Sequence, residues 1–136
     1  MRLLVLGLLL ISSSFAVIAG EGQQSVGCFT SGKINVKFVQ IDQDGISLGY
    51  VKYEKSKMAI PLVYISGNSE GNEEGGPEQF TTKWAEFING KINGYYTVTS
   101  QGARFYQLEY KSRVDLITDF RDNTNAYNSD GSDCKW

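Results

Sequence analysis

The sequence predicts an all-β protein: a small antiparallel barrel or two-sheet sandwich of about seven strands, its near-terminal regions joined by one disulfide. Three observations carry that expectation. Past the N-terminal segment the apolar residues recur with a period near two. Turn-forming residues return about every eight to twelve positions. The only two cysteines, Cys28 and Cys134, stand near opposite ends of the chain.

The first residues set the compartment. Arg2 supplies a positive start, Leu3 to Leu10 an apolar run, and Val17-Ile18-Ala19 a small-residue cleavage site. That is the build of a secretory signal peptide. A membrane anchor needs about 20 mostly apolar residues, and Ser12-Ser13-Ser14 interrupt this run. Residues 1–19 are therefore expected to be removed, leaving residues 20–136 as a single β domain in the periplasm or outside the cell, with no membrane segment. In an oxidising compartment two lone cysteines pair. A Cys28–Cys134 bridge would close a loop worth about 4–5 kcal/mol in the chain-entropy model. The alternative, a lipid on Cys28 of "SVGC", is disfavoured by Glu21, Gln23 and Gln24 between it and the apolar run.

The strands follow in order. "KINVKFVQI" alternates Ile34, Val36 and Phe38 against Asn35 and Lys37, and "DQDG" turns it into "ISLGYVKY". "EKSK" leads into "MAIPLVYIS", where Pro61, lacking an amide hydrogen, implies an edge or a bulge. Residues 67–78, "GNSEGNEEGGPE", bury nothing and read as a mobile acidic loop. "QFTTKWAEFI" and "KINGYYTVTS" flank Asn89-Gly90, a pair suited to the positive φ angles of a type I′ turn. That turn predicts Trp84 opposite Tyr95 and Thr82 opposite Thr97. "SQGA" then reverses the chain into "RFYQLEYKS", predicting Val98 opposite Phe105 and Tyr95 opposite Leu108. One face would hold Phe80, Trp84, Tyr95, Tyr106, Leu108 and Tyr110, the other Phe87, Ile92, Val98 and Phe105. In "SRVDLITDF" the alternation of Val114, Leu116, Thr118 and Phe120 favours a strand over a short helix capped by Ser112. The tail is polar loop.

Chemistry is sparse. The chain has no histidine, which removes the usual general base and the commonest zinc ligand. Paired carboxylates could still cleave glycosides, but Glu86 and Glu109 fall on opposite faces in the expected register. "DQDG" fails as a calcium loop because Gln40 and Val51 would occupy its first and twelfth positions. No metal, cofactor or catalytic group is expected. Two binding candidates remain: the carboxylates Glu70, Glu73, Glu74 and Glu78, and the aromatic row Trp84, Tyr95, Tyr106 and Tyr110, which could anchor a partner or pack as core.

Without residues 1–19 the chain carries twelve basic and fifteen acidic residues, a net charge of −3. No basic cluster exists, so a nucleic acid is not the expected partner. In format the chain is similar to periplasmic lysozyme inhibitors and exported immunity proteins: small, acidic, β-rich and disulfide-clasped. It carries no defining inhibitory motif. That similarity implies a non-catalytic domain whose acidic loop meets a basic protein. The alternatives are a carrier with an apolar ligand inside a barrel and, third, a glycan-active enzyme. A filled core with an exposed aromatic patch would favour the protein binder, and an interior cavity lined by Tyr and Phe the carrier.

Overall fold

A computed structural model describes residues 20–71 and 73–136; the signal-peptide reading lies outside these residues. The chain forms eight strands: β1 (Gln23–Ser31), β2 (Ile34–Gln43), β3 (Ile46–Tyr53), β4 (Ile60–Glu70), β5 (Gln79–Ile88), β6 (Lys91–Gln101), β7 (Arg104–Ser112) and β8 (Ile117–Asp122), followed by a 3₁₀ turn at Thr124–Ala126. Each pairs antiparallel with its sequence neighbour, and β8 returns to β1, so the sheet is a closed barrel. The expected seven strands become eight because β1, "QQSVGCFTS", is a strand with almost no apolar signature.

Hairpin chemistry sets the connections. Asp44-Gly45 and Asn89-Gly90 both take positive φ (52° and 78°, 51° and 75°), as two-residue primed turns require. Gly102-Ala103 does the same at 59° and 67°. Nothing lies within 4 Å of where a Gly90 Cβ would stand, so a side chain there meets only backbone strain. Gly90→Val should cost about 1 kcal/mol or more, because a β-branched residue resists that conformation. Denaturant midpoints of parent and variant check this; equal midpoints would contradict the turn.

Three bulges interrupt the ladders, and two of them, together with a shorter β6–β7 turn, correct the expected registers. Glu86 faces Gly94 while Phe87 faces Ile92, so Asn93 is an extra residue and Trp84 faces Tyr96 instead of Tyr95. Thr82 accordingly faces Val98. The β6–β7 turn takes only Gly102-Ala103, so Gln101 faces Arg104 and Ser100 faces Phe105; a second bulge, between Thr99 and Ser100, then puts Val98 opposite Leu108 and Tyr95 opposite Lys111. The third lies between Tyr64 and Ser66 in β4, the strand where Pro61 implied an irregularity. Pro61 itself faces Tyr50 and precedes the β5 ladder, which begins at Leu62. The acidic loop is shorter than expected, because backbone pairing continues to Glu70 opposite Gln79. Gly67 to Glu70 are therefore strand. Residues 112–122 resolve into a turn and then β8; Ser112 Oγ accepts the Leu116 amide (3.1 Å) and Asp115 takes φ 61°. Val114 and Leu116 are exposed in that turn, while Phe120 enters the core.

The interior is filled. Phe29, Val36, Phe38, Val51, Trp84, Tyr96 and Leu108 have no exposure and pack as one cluster with Leu62, Val98 and Phe120. Trp84 sits at its middle, edge-on to Phe38 (5.8 Å) and Tyr64 (5.3 Å). Its indole N–H donates to Thr82 Oγ1 at 2.9 Å. A Cβ at Gly49 would stand 2.8 Å from the ring, so β3 must present glycine there.

Closure is slight. Only Phe29–Asp122 and Thr30–Arg121 join β1 to β8. Beyond them the chain leaves the sheet and packs on the outside of β1. Cys28 is bonded to Cys134, and these two with Ala126 form a second buried cluster, bordered by Val26, Tyr127 and Trp136. Asn123 donates its amide to the Cys28 carbonyl (2.8 Å), and Cys28 donates its own to Tyr127 Oη (3.0 Å).

Candidate functional site

Strand direction sorts the molecule into two ends. One carries the start of β1, the Asp44-Gly45 turn, the acidic loop 71–78 and the Gly102-Ala103 turn. The other carries the Asn89-Gly90 turn and the β7–β8 connection.

At the second end lies a buried carboxylate. Glu86 is 3% exposed and accepts from Tyr96 (2.8 Å), Tyr110 (3.0 Å) and Asn93 Nδ2 (2.8 Å). Because Tyr96 donates to Glu86, the 2.7 Å bond between Tyr53 and Tyr96 has Tyr53 as donor. Burial raises the pKa of all three phenols, and the neighbouring Glu86 charge adds to it; Tyr110 is pushed up to about 12. They therefore stay protonated and serve as donors. The Asn93 bulge and Gly94 build this arrangement: a Cβ at Gly94 would collide with Tyr110 and the Lys111 carbonyl. The three donors Tyr96, Tyr110 and Asn93 thus hold the Glu86 carboxylate within the wall.

The candidate residues do not form one surface. Trp84 and Tyr110 point into the barrel, whereas Tyr106 is exposed and Tyr95 lies on the outer wall with Lys83 Nζ 4.5 Å above its ring. Of the other expected face, Val98 and Phe105 are inside, and Phe87 and Ile92 are exposed outside. The bulges cause this split, since each extra residue inverts the side chains beyond it. Glu109 lies on the outer wall between Thr97 and Asp119, on the opposite face from Glu86. Asp42 is committed to Gln40 (2.9 Å) and Ser47 (2.6 Å).

The first end is where accessible features gather. Glu70, Glu73, Glu74 and Glu78 are all exposed. The loop's exit is pinned to the β6–β7 turn: Gln101 Nε2 donates to the Pro77 carbonyl (3.1 Å), and Gly102 lies against Pro77. Exposed Tyr106 donates to Gln79 Oε1 at 2.7 Å. At this end the barrel mouth holds a cavity of about 270 Å³ lined by Gln23, Ser25, Gln40, Thr82 and Ser100 with Phe80, Ala103 and Phe105. Beside it, between β1 and the β6–β7 turn, runs a groove of about 570 Å³. Neither is visible in the sequence, because the lining joins the polar half of β1 to residues distant in the chain. The run Gln23-Gln24-Ser25 was the available signal: three uncharged polar residues leading directly into a strand.

Comparison with family models, curated proteins and solved structures finds no match.

Proposed function

We propose that this chain is an exported, non-catalytic protein-binding domain of inhibitor or immunity type, whose loop-bearing end meets a basic partner. The observation that carries the reading is the filled barrel. With Phe29, Phe38, Trp84, Tyr96 and Leu108 fully buried against one another, the middle of the barrel has no place for an apolar ligand, and the space left at its mouth is lined by Gln23, Ser25, Gln40, Thr82 and Ser100 as well as Phe80 and Phe105, which counts against a carrier. The buried Glu86 is held by its own neighbours, which counts against a carboxylate pair acting on glycans. The end where four exposed glutamates stand beside a mouth and a groove is accessible. The disulfide is compatible with an oxidising compartment, in keeping with export.

Neutralising Glu70, Glu73, Glu74 and Glu78 to Gln tests this. The side chains are exposed, so each change should move stability by no more than about 0.5 kcal/mol. Association with a basic partner recovered by pull-down from periplasmic or culture extract should slow. The loss should shrink as salt rises, because steering is screened beyond about 8 Å at physiological ionic strength. Equal association rates for parent and variant at low salt would remove the loop from this account.

A further inference from the structure

β8 stops pairing with β1 at Asp122, opposite Phe29, and the chain then turns outward. The rest of β1, from Gln23 to Cys28, has β2 on one side only. The Cys28 amide and carbonyl bond to Tyr127 and Asn123, so they point away from β2. Strand periodicity sends the peptide groups of Val26 and Gln24 the same way. Among the described residues, neither has a backbone partner on that side. Both residues line the groove of about 570 Å³, which Ala103, Arg104 and Phe105 wall on the β7 side and to which Thr124, Tyr127 and Gly131 of the tail also contribute. β7 is also unpaired there, since its ladder with β8 begins at Gln107.

We propose that this groove receives an extended peptide segment of a partner, added as a strand to the free edge of β1. Main-chain bonds to Gln24 and Val26 would supply affinity, as in strand addition generally. A groove of this size falls within the range of about 300–1,000 Å³ typical of binding sites. The added strand would continue the line that β8 abandons. Its inward side chains would meet the mouth cavity, which shares Gln23, Ser25, Ala103 and Phe105 with the groove. A basic segment fits best. The acidic loop leans on the same β6–β7 turn that walls the groove, and the one cation in that wall, Arg104, is already neutralised by Asp122. The partner's basic character rests on the function proposed above; the strand addition does not.

The experiment is selection from a displayed library of random heptapeptides against the oxidised protein. The selected peptides are then measured on three forms: parent, Gln24→Pro and the quadruple Glu→Gln variant. Proline at position 24 deletes the edge amide, and an edge strand accepts it; a matching thermal midpoint checks the fold. Expected are Lys- and Arg-rich binders that lose at least tenfold in affinity on Gln24→Pro and lose affinity on loop neutralisation. In the parent they should slow hydrogen exchange at the Val26 amide at least tenfold, a reading that needs no variant. If the quadruple variant binds like the parent while Gln24→Pro does not, the strand addition stands and the acidic-loop reading fails. Binders indifferent to Gln24→Pro that leave Val26 exchange unchanged would overturn the strand addition, as would a library yielding no binder.

Discussion

Replacing both Cys28 and Cys134 with alanine is expected to lower the unfolding free energy by about 4–5 kcal/mol, the chain-entropy value for a cross-link spanning about a hundred residues. The bond joins positions 106 apart in sequence, so almost the whole barrel lies inside the loop it closes. Its placement matters as much as its span. β1 meets β8 through two residue pairs only, whereas β1 and β2 pair along the full length of β1. The weakest seam of the barrel is therefore held from outside, by a tail that Cys134 anchors to Cys28. Tyr127 adds to the hold, accepting the Cys28 amide and donating to Asp122 at 2.9 Å. Since domains of this size are stable by only about 5–15 kcal/mol, the loss would leave little in reserve. Urea titration of parent and double variant measures it, and hydrogen exchange locates it. Protection should fall first at Thr30, Arg121 and Asn123, before the β4–β5–β6 hairpins respond. A loss below about 1 kcal/mol, or uniform deprotection, would mean that the packed barrel closes unaided.

The parts of this fold legible in the sequence are those fixed by local chemistry. Asp44-Gly45 and Asn89-Gly90 announce their turns because few other pairs accept two positive φ angles in succession. The cysteine pairing follows from having only two. β1 was not legible, since its inward positions include Ser25 and Gly27. A Cβ at Gly27 would run into the Phe29 ring and come within 3.3 Å of Phe105, so the strand contributes space where the pattern demands an apolar side chain. Registers were lost at the bulges and at the β6–β7 turn, which takes two residues where "SQGA" suggested four. Gly94 inside a strand pattern was a usable sign of one, and Pro61 pointed to the strand of another; nothing comparable marks Tyr106. The acidic loop was recognisable, but its length was not, because pairing through Ser69 and Glu70 is made by backbone groups that side-chain composition does not report. Of the site, the four glutamates were legible as charge. The groove was not, because it is defined by where β8 stops.

Trp84→Ala should cost about 3–5 kcal/mol, the usual loss for removing a buried indole. The large value is expected because the site cannot collapse. Phe38 of β2 and Tyr64 of β4 stand edge-on to Trp84, and Gly49 has no side chain to advance into the space. The Thr82 hydroxyl also loses its donor. The variant bears on function as well as stability. An apolar cavity bounded by rigid walls stays dry and accepts small aromatic molecules, so indole should bind the variant and raise its stability, by about 2.7 kcal/mol at a hundredfold excess over Kd. The parent has that volume occupied by Trp84 itself and should gain nothing from indole. Thermal melts of both proteins across an indole series read the two effects together. Stabilisation of the parent would reveal an accessible apolar site and revive the carrier reading. Stabilisation confined to the variant would mean that the native barrel spends its interior on its own side chains, and that binding belongs to the end where the glutamates and the free edge of β1 stand.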